Sequence, residues 1–263
     1  MTMHNLEVML GLAREAMENG DPAEAVKLLR PQAAQHPDNG ELQALYGEAL
    51  VDAGRLPDGL KVLEEANRRL PDDLVVYQAL GDACFEAGLP DRARAAYQAI
   101  LDRAPEDADA LVSLGLVHYH QERIDQAEQC YRKALAVEPE SVFAWHSLGD
   151  VCFAQGQVDE ARKCFEKALE LDPDDPQGHF NLAEFLYDNG DLPAAESRCR
   201  ETLRRDPRFG FAWLTLGNIC LDQEQVQEAV QCFQKFLSLE QGPSSKEIRD
   251  EVTALIEGLR EEL

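Results

Sequence analysis

A 34-residue period runs through almost all of this 263-residue chain and constrains its architecture more than any single residue does. Trp145, Leu148, Gly149, Gly156, Ala161, Phe165, Ala168 and Pro173 set the pattern. One period later the same slots hold His179, Leu182, Ala183, Gly190, Ala195, Cys199, Thr202 and Pro207. One period earlier they hold Leu111, Leu114, Gly115, Glu122, Ala127, Tyr131, Ala134 and Pro139. The spacing predicts seven units, at 6–39, 40–73, 74–107, 108–141, 142–175, 176–209 and 210–243. A period of this size means stacked supersecondary units, each unable to bury its apolar face alone.

One unit shows how the rest fold. From Val142, apolar residues Phe143, Trp145, Leu148, Val151, Cys152 and Phe153 recur at helical spacing, which predicts a first helix over about 142–155. Gly149 admits a close neighbour, and Gly156 stops the helix in a left-handed conformation open to glycine. Asp159 is expected to cap a second helix that runs to about Leu171, with Ala161, Cys164, Phe165 and Ala168 on its inner face. Pro173 ends the pair, since proline cannot continue a helix. Gly20, Gly54, Gly88 and Gly190 repeat the stop, whereas Glu122 and Glu224 stand in the same slot. The last unit shifts its break to Gly242-Pro243. Beyond it, 244–263 reads as one further helix: Ser244 and Glu247 make a capping-box pattern, and Ile248, Val252, Leu255, Ile256, Leu259 and Leu263 line one face. It caps the last unit or, alternatively, mediates self-association. Residues 1–5 read as an N-terminal extension.

This period, with this order of small residues and proline, resembles the tetratricopeptide repeat family. The resemblance implies an all-α fold: a right-handed α-solenoid superhelix of helix-turn-helix units with a terminal capping helix, working as a surface for other proteins.

The formal charge of −25 argues against binding nucleic acid or anionic membrane, which need clustered Lys and Arg. No apolar run approaches the ~18 residues of a membrane span, so no membrane insertion is expected. The N-terminus lacks the features of a signal peptide, and a soluble cytoplasmic protein is the expectation. Cys84, Cys152 and Cys220 share one repeat slot; Cys130, Cys164 and Cys232 share another, with Cys199 beside it. Same-slot cysteines on stacked helices lie roughly 8–10 Å apart, beyond the ~7 Å Cα separation of a disulfide. Pairs within one unit, such as Cys152 with Cys164, are open to closer approach, and buried thiols in a reducing compartment are expected. No phosphate loop, nucleophile elbow, His-Glu-x-x-His or Cys-x-x-Cys occurs, so neither catalysis, cofactor nor metal is expected.

Charge is distributed unevenly between the two helices of each unit. The first 14 positions of the seven units hold 13 acids and a single base, Arg14, of the chain's 25 Lys and Arg. A first helix that is merely more buried explains few charges, not this imbalance. In the resembled family, first helices line the concave face and hold ligands mainly through positions 2, 5, 9, 12 and 13. Carried over here, position 12 supplies Phe85, Tyr119, Phe153 and Tyr187. Positions 9 and 13 supply Glu48, Asp52, Asp82, Glu86, Asp150, Glu184 and Asp188. Asn181 matches the family's ligand-backbone asparagine, but the other units lack it. Position 5 carries no Lys or Arg, so the family's clamp for acidic chaperone tails is absent. The expected partner is a protein or peptide segment that is basic with apolar anchors. The alternatives are a self-assembling scaffold using the C-terminal helix, or a repeat subunit serving a separate enzyme or secretion machine.

Overall fold

A computed structural model describes the backbone of residues 3–242 and 245–261, and the side chains of 6–242 and 245–259. Among the described residues there are fifteen α-helices and no strand. They form two compact units, Met1–Pro139 and Glu140–Leu263. The first unit contains α1 (Met3–Glu18), α2 (Pro22–Gln35), α3 (Gly40–Asp52), α4 (Leu56–Arg69), α5 (Leu74–Glu86), α6 (Pro90–Leu101), α7 (Ala108–His120) and α8 (Ile124–Val137). The second contains α9 (Val142–Ala154), α10 (Val158–Leu171), α11 (Pro176–Asp188), α12 (Leu192–Arg205), α13 (Gly210–Asp222), α14 (Val226–Leu239) and α15 (Lys246–Glu261). α1 begins at Met3 and so takes in residues 3–5.

Each odd-numbered helix up to α13 pairs with the next even-numbered one, and the pairs stack within their unit. Consecutive first helices touch: α1 with α3, α3 with α5, α5 with α7, and α11 with α13. Second helices are bridged by long side chains, such as Arg92 to Glu64 at 2.5 Å and Arg200 to Glu228 at 2.8 Å. Where first helices touch, they therefore lie closer together than the second helices of the same pairs.

The first helices start from one recurring device. Asn39, Asp73, Asp107, Ser141 and Asp175 precede α3, α5, α7, α9 and α11, and each accepts a hydrogen bond from a first-turn N–H at 2.9 to 3.3 Å. Such caps satisfy donors that no intrahelical carbonyl reaches. α13 departs, with Phe209 at this position and no side-chain cap. The second helices mostly lack the device, and the expected cap at Asp159 is not one. α10 begins after Gln157, without a side-chain cap, and Asp159 lies inside its first turn. There its carboxylate is placed to favour the helix dipole rather than to accept from it as a cap.

The turn inside each pair has one geometry. Gly156 has φ +75°, its N–H donates to the Phe153 carbonyl, and the next N–H reaches back to Cys152, each at 2.8 Å. Glu122 and Glu224 adopt the same left-handed conformation at φ 58° and 62° and keep the same bonds.

Within a pair, a small residue on the first helix receives a large one from the second. A Cβ on Gly81, Gly149 or Gly217 would lie 2.5 to 2.7 Å from the ring of Tyr97, Phe165 or Phe233. Gly115 faces Tyr131 and Gly47 faces Leu63 in the same way. In the pair α11–α12 the trade reverses: Ala183 and Cys199 occupy these slots, both fully buried.

α15 packs on α14 and buries Val252, Ile256 and Leu259, whereas Leu255 faces solvent. The Ser244–Glu247 capping box and the break at Pro243 fall on Ser244 and Pro243, outside the described residues, as does the side chain of Leu263. All seven cysteines are buried and unpaired by disulfides.

Candidate interaction surface

In the first unit, Glu48 and Asp52 lie on α3, Asp82, Phe85 and Glu86 on α5 and Tyr119 on α7, all of them first helices. Asp82 accepts from the Tyr97 hydroxyl at 2.6 Å and from the Gln78 amide at 3.1 Å. The Gln78 amide also lies 3.2 Å from the Ser113 hydroxyl on α7, tying three helices together. The Phe85 ring meets His120 edge-on at 5.1 Å, and Tyr119 meets the same imidazole at 6.3 Å.

The second unit carries Asp150 and Phe153 (α9) and Asn181, Glu184, Tyr187 and Asp188 (α11). His146 Nδ1 lies 3.4 Å from Asp150. Phe153 packs edge-on against Phe185 at 5.3 Å, and the Tyr187 hydroxyl donates to Asp222 at 2.8 Å. Asn181 Oδ1 accepts from Gln177 at 2.6 Å, so its carbonyl is engaged by its own helix. All four position-12 aromatics are half-buried.

The carboxylates lack cationic counterparts. Among the described residues, no Lys or Arg stands in ion-pair distance of Glu48, Asp52, Asp82, Glu86, Asp150, Glu184 or Asp188, and His146 is the nearest base to Asp150. Many cations on second helices are instead paired with acids of their own surface. Arg200 holds Glu196 and Glu228, Arg132 holds Glu128 and Arg69 holds Glu65.

The unneutralised groups disturb one another. Loss of hydration raises the Glu48 carboxyl above the usual range, repulsion from Asp82 and Asp52 adds to this, and Arg14 opposes it. Asp82 is also raised by lost hydration and by Asp109, against the bonds from Tyr97 and Gln78. Burial raises Asp150, with His146 opposing. Lost hydration raises Glu184, and Asp188 and Asp150 add repulsion. Asp82 and Glu184 keep a solvent-exposed face, yet enough protein surrounds them to strip part of their hydration. Burial and the bond to Asp222 push the Tyr187 phenol up to about 12.

Several contributors escaped the sequence reading. Tyr97 reaches Asp82 from a second helix, and nothing in the repeat pattern marks a core ring as a hydrogen-bond donor. Asp222 and His146 occupy positions 13 and 5 of their units, so the repeat register did contain the signal for them.

A stack of helix pairs with small-for-large packing and patterned first helices defines a helical repeat protein of the interaction type. Three family models match it: tetratricopeptide repeat models over residues 16–84 and 79–142, and the cytochrome c-type biogenesis protein H TPR domain over 131–239. The chain belongs to the tetratricopeptide repeat family. Among solved structures it is similar to a tetratricopeptide repeat protein from Parabacteroides merdae, at 21% identity and TM-score 0.73, covering 95% of this chain and 98% of that one. It is similar to Pseudomonas aeruginosa pilF, at 20% identity and TM-score 0.65, covering 81% and 95%. It is also similar to YrrB, described as a TPR protein with an unusual peptide-binding site, at 22% identity and TM-score 0.52, covering 70% and 95%. No curated protein matches its sequence. At these identities the structural likenesses establish the fold alone; membership of the tetratricopeptide repeat family supports a protein-protein interaction scaffold.

Proposed function

We propose that this protein is an interaction scaffold that binds a basic, partly apolar segment of a partner on the acidic, aromatic-edged faces of its first helices. The repeats at 6–243 supply these faces. The supporting observation is the absence of Lys or Arg from a set of carboxylates that crowd and repel one another, while many cations elsewhere are paired with acids of their own surface. A lysine or arginine from a partner relieves that repulsion, and the half-buried rings of Phe85, Tyr119, Phe153 and Tyr187 supply apolar contact and cation-accepting ring faces. Exposed ion pairs contribute only ~0–1 kcal/mol each, so the rings carry affinity and the charges set rate and selectivity. Seven buried cysteines, none of them placed in a disulfide, fit a reducing compartment such as the cytoplasm.

The test is affinity capture with the wild-type chain beside a Glu86→Lys/Glu184→Lys/Asp188→Lys variant. These three side chains are exposed and outside the core. Partners with basic segments should be captured by the wild type and lost by the variant; equal capture by both would refute the assignment of the face. A second reading, a repeat subunit serving a separate enzyme or machine, draws support from the match of residues 131–239 to a domain of a cytochrome c-type biogenesis protein. The identity of captured partners separates the two.

A further inference from the structure

The first unit carries a second, oppositely charged cleft, independent of the acidic face. It is a cavity of about 480 Å³ where α2, α3 and α4 meet. Its apolar wall is Tyr46, Leu50 and Val62. Four cations line it: Arg30 from α2, Arg55 at the start of α4, and Lys61 and Arg68 along α4. Two acids accompany them, and both are engaged. Asp58 pairs with Arg55 at 2.6 Å and Glu65 with Arg68 at 2.6 Å. Glu65 also accepts from Arg69 at 2.9 Å. Arg30 and Lys61 have no carboxylate within ion-pair distance among the described residues.

In a chain of net charge −25 an unneutralised pair of cations beside an aromatic wall is unexpected. Nor does the fold require it. The corresponding cleft of the second unit, about 560 Å³, is formed by α12, α13 and α14 around Trp213, Leu216 and Cys232. There Gln231 stands in the repeat slot of Lys61, and Ser238 in that of Arg68. Arg200, in the slot of Arg30, is bound on both sides by Glu196 and Glu228. Lys235 also lines this cleft, with no carboxylate in ion-pair distance among the described residues, so the second unit's cavity offers one unpaired lysine where the first unit's offers an unpaired arginine and lysine together.

We propose that the α2–α4 cleft binds an acidic peptide segment carrying an apolar side chain: its carboxylates meet Arg30 and Lys61, and its apolar group packs on Tyr46, Leu50 and Val62. Charge complementarity selects this occupant, because an arginine fork and a carboxylate make strong paired hydrogen bonds. The apolar wall gives the segment a reason to be a peptide rather than a bare anion. Together with the acidic face, the cleft would let one chain hold two partners of opposite charge.

The test is fluorescence anisotropy at physiological salt with a labelled peptide of glutamates flanking leucine, beside a matched peptide with lysines in place of the glutamates. The wild type should bind the glutamate peptide saturably despite overall charge repulsion. Arg30→Gln/Lys61→Gln should bind it about tenfold more weakly or worse, with unchanged helicity and unchanged affinity for the lysine peptide. No saturable binding by the wild type, or equal binding by the variant, overturns the proposal. Displacement of the peptide by inorganic phosphate at comparable concentration overturns the peptide assignment in favour of a small-anion site. The lysine peptide reads the acidic face separately, so failure of either proposal is recognised without the other.

Discussion

Glu122 and Glu224 show what single residues decide in this fold. Both stand where the other pairs use glycine, and both hold the left-handed backbone, at φ 58° and 62°. An L side chain there costs roughly 1–2 kcal/mol. Glu122→Gly and Glu224→Gly should each stabilise the chain by about 0.5–1 kcal/mol in urea denaturation, once the greater unfolded-state freedom of glycine offsets part of the gain. No change, or destabilisation, would show that the stop turn does not need this conformation. The repeat register made these departures legible in the sequence. It did not show the role of Asp159, because a cap and a first-turn acid differ by two residues and repeat spacing does not resolve them.

At the level of elements, the helix pair is set by a glycine on one helix and a ring on the other. Gly149→Ala would bring its Cβ to 2.7 Å from the Phe165 ring and should cost about 1–3 kcal/mol. The pair α11–α12 offers the reciprocal test. Cys199→Phe alone should destabilise by a similar amount, since Ala183 fills the space the ring needs. Adding Ala183→Gly should restore most of the loss, and a double-mutant cycle reads the coupling. Additive effects would contradict the small-for-large trade. This packing was legible from the period, which placed glycine and ring in fixed slots. The hydrogen bond from Tyr97 to Asp82 was not, because it depends on how deeply the second-helix ring penetrates, a distance that sequence spacing does not carry.

For the whole molecule, charge on the first helices dominates the response to solution conditions. Glu48, Asp82, Asp150 and Glu184 all have folded-state pKa values raised above the ordinary range. Folding therefore opposes their ionisation, and the destabilisation is fully present at neutral pH. As pH falls from neutral through the raised values, these groups take up protons in the folded state and stability should rise. Further acidification reverses the trend, because Glu65 and Glu196, lowered by Arg69 and Arg200, then lose their ion pairs. A melting temperature that falls steadily on acidification from neutral pH would contradict this. The same repulsion predicts that binding of a basic segment weakens as salt rises. The uneven charge was legible in the sequence; the lack of cationic partners was not, since it depends on which side of each pair the arginines face.

The central claim is that the first-helix carboxylates receive a cationic segment, and calorimetric titration of a lysine–leucine peptide tests it most directly. The wild type should bind it, and Glu86→Gln/Glu184→Gln/Asp188→Asn should bind it about tenfold more weakly with its melting temperature unchanged or raised. Equal affinity for both proteins would place the binding surface elsewhere.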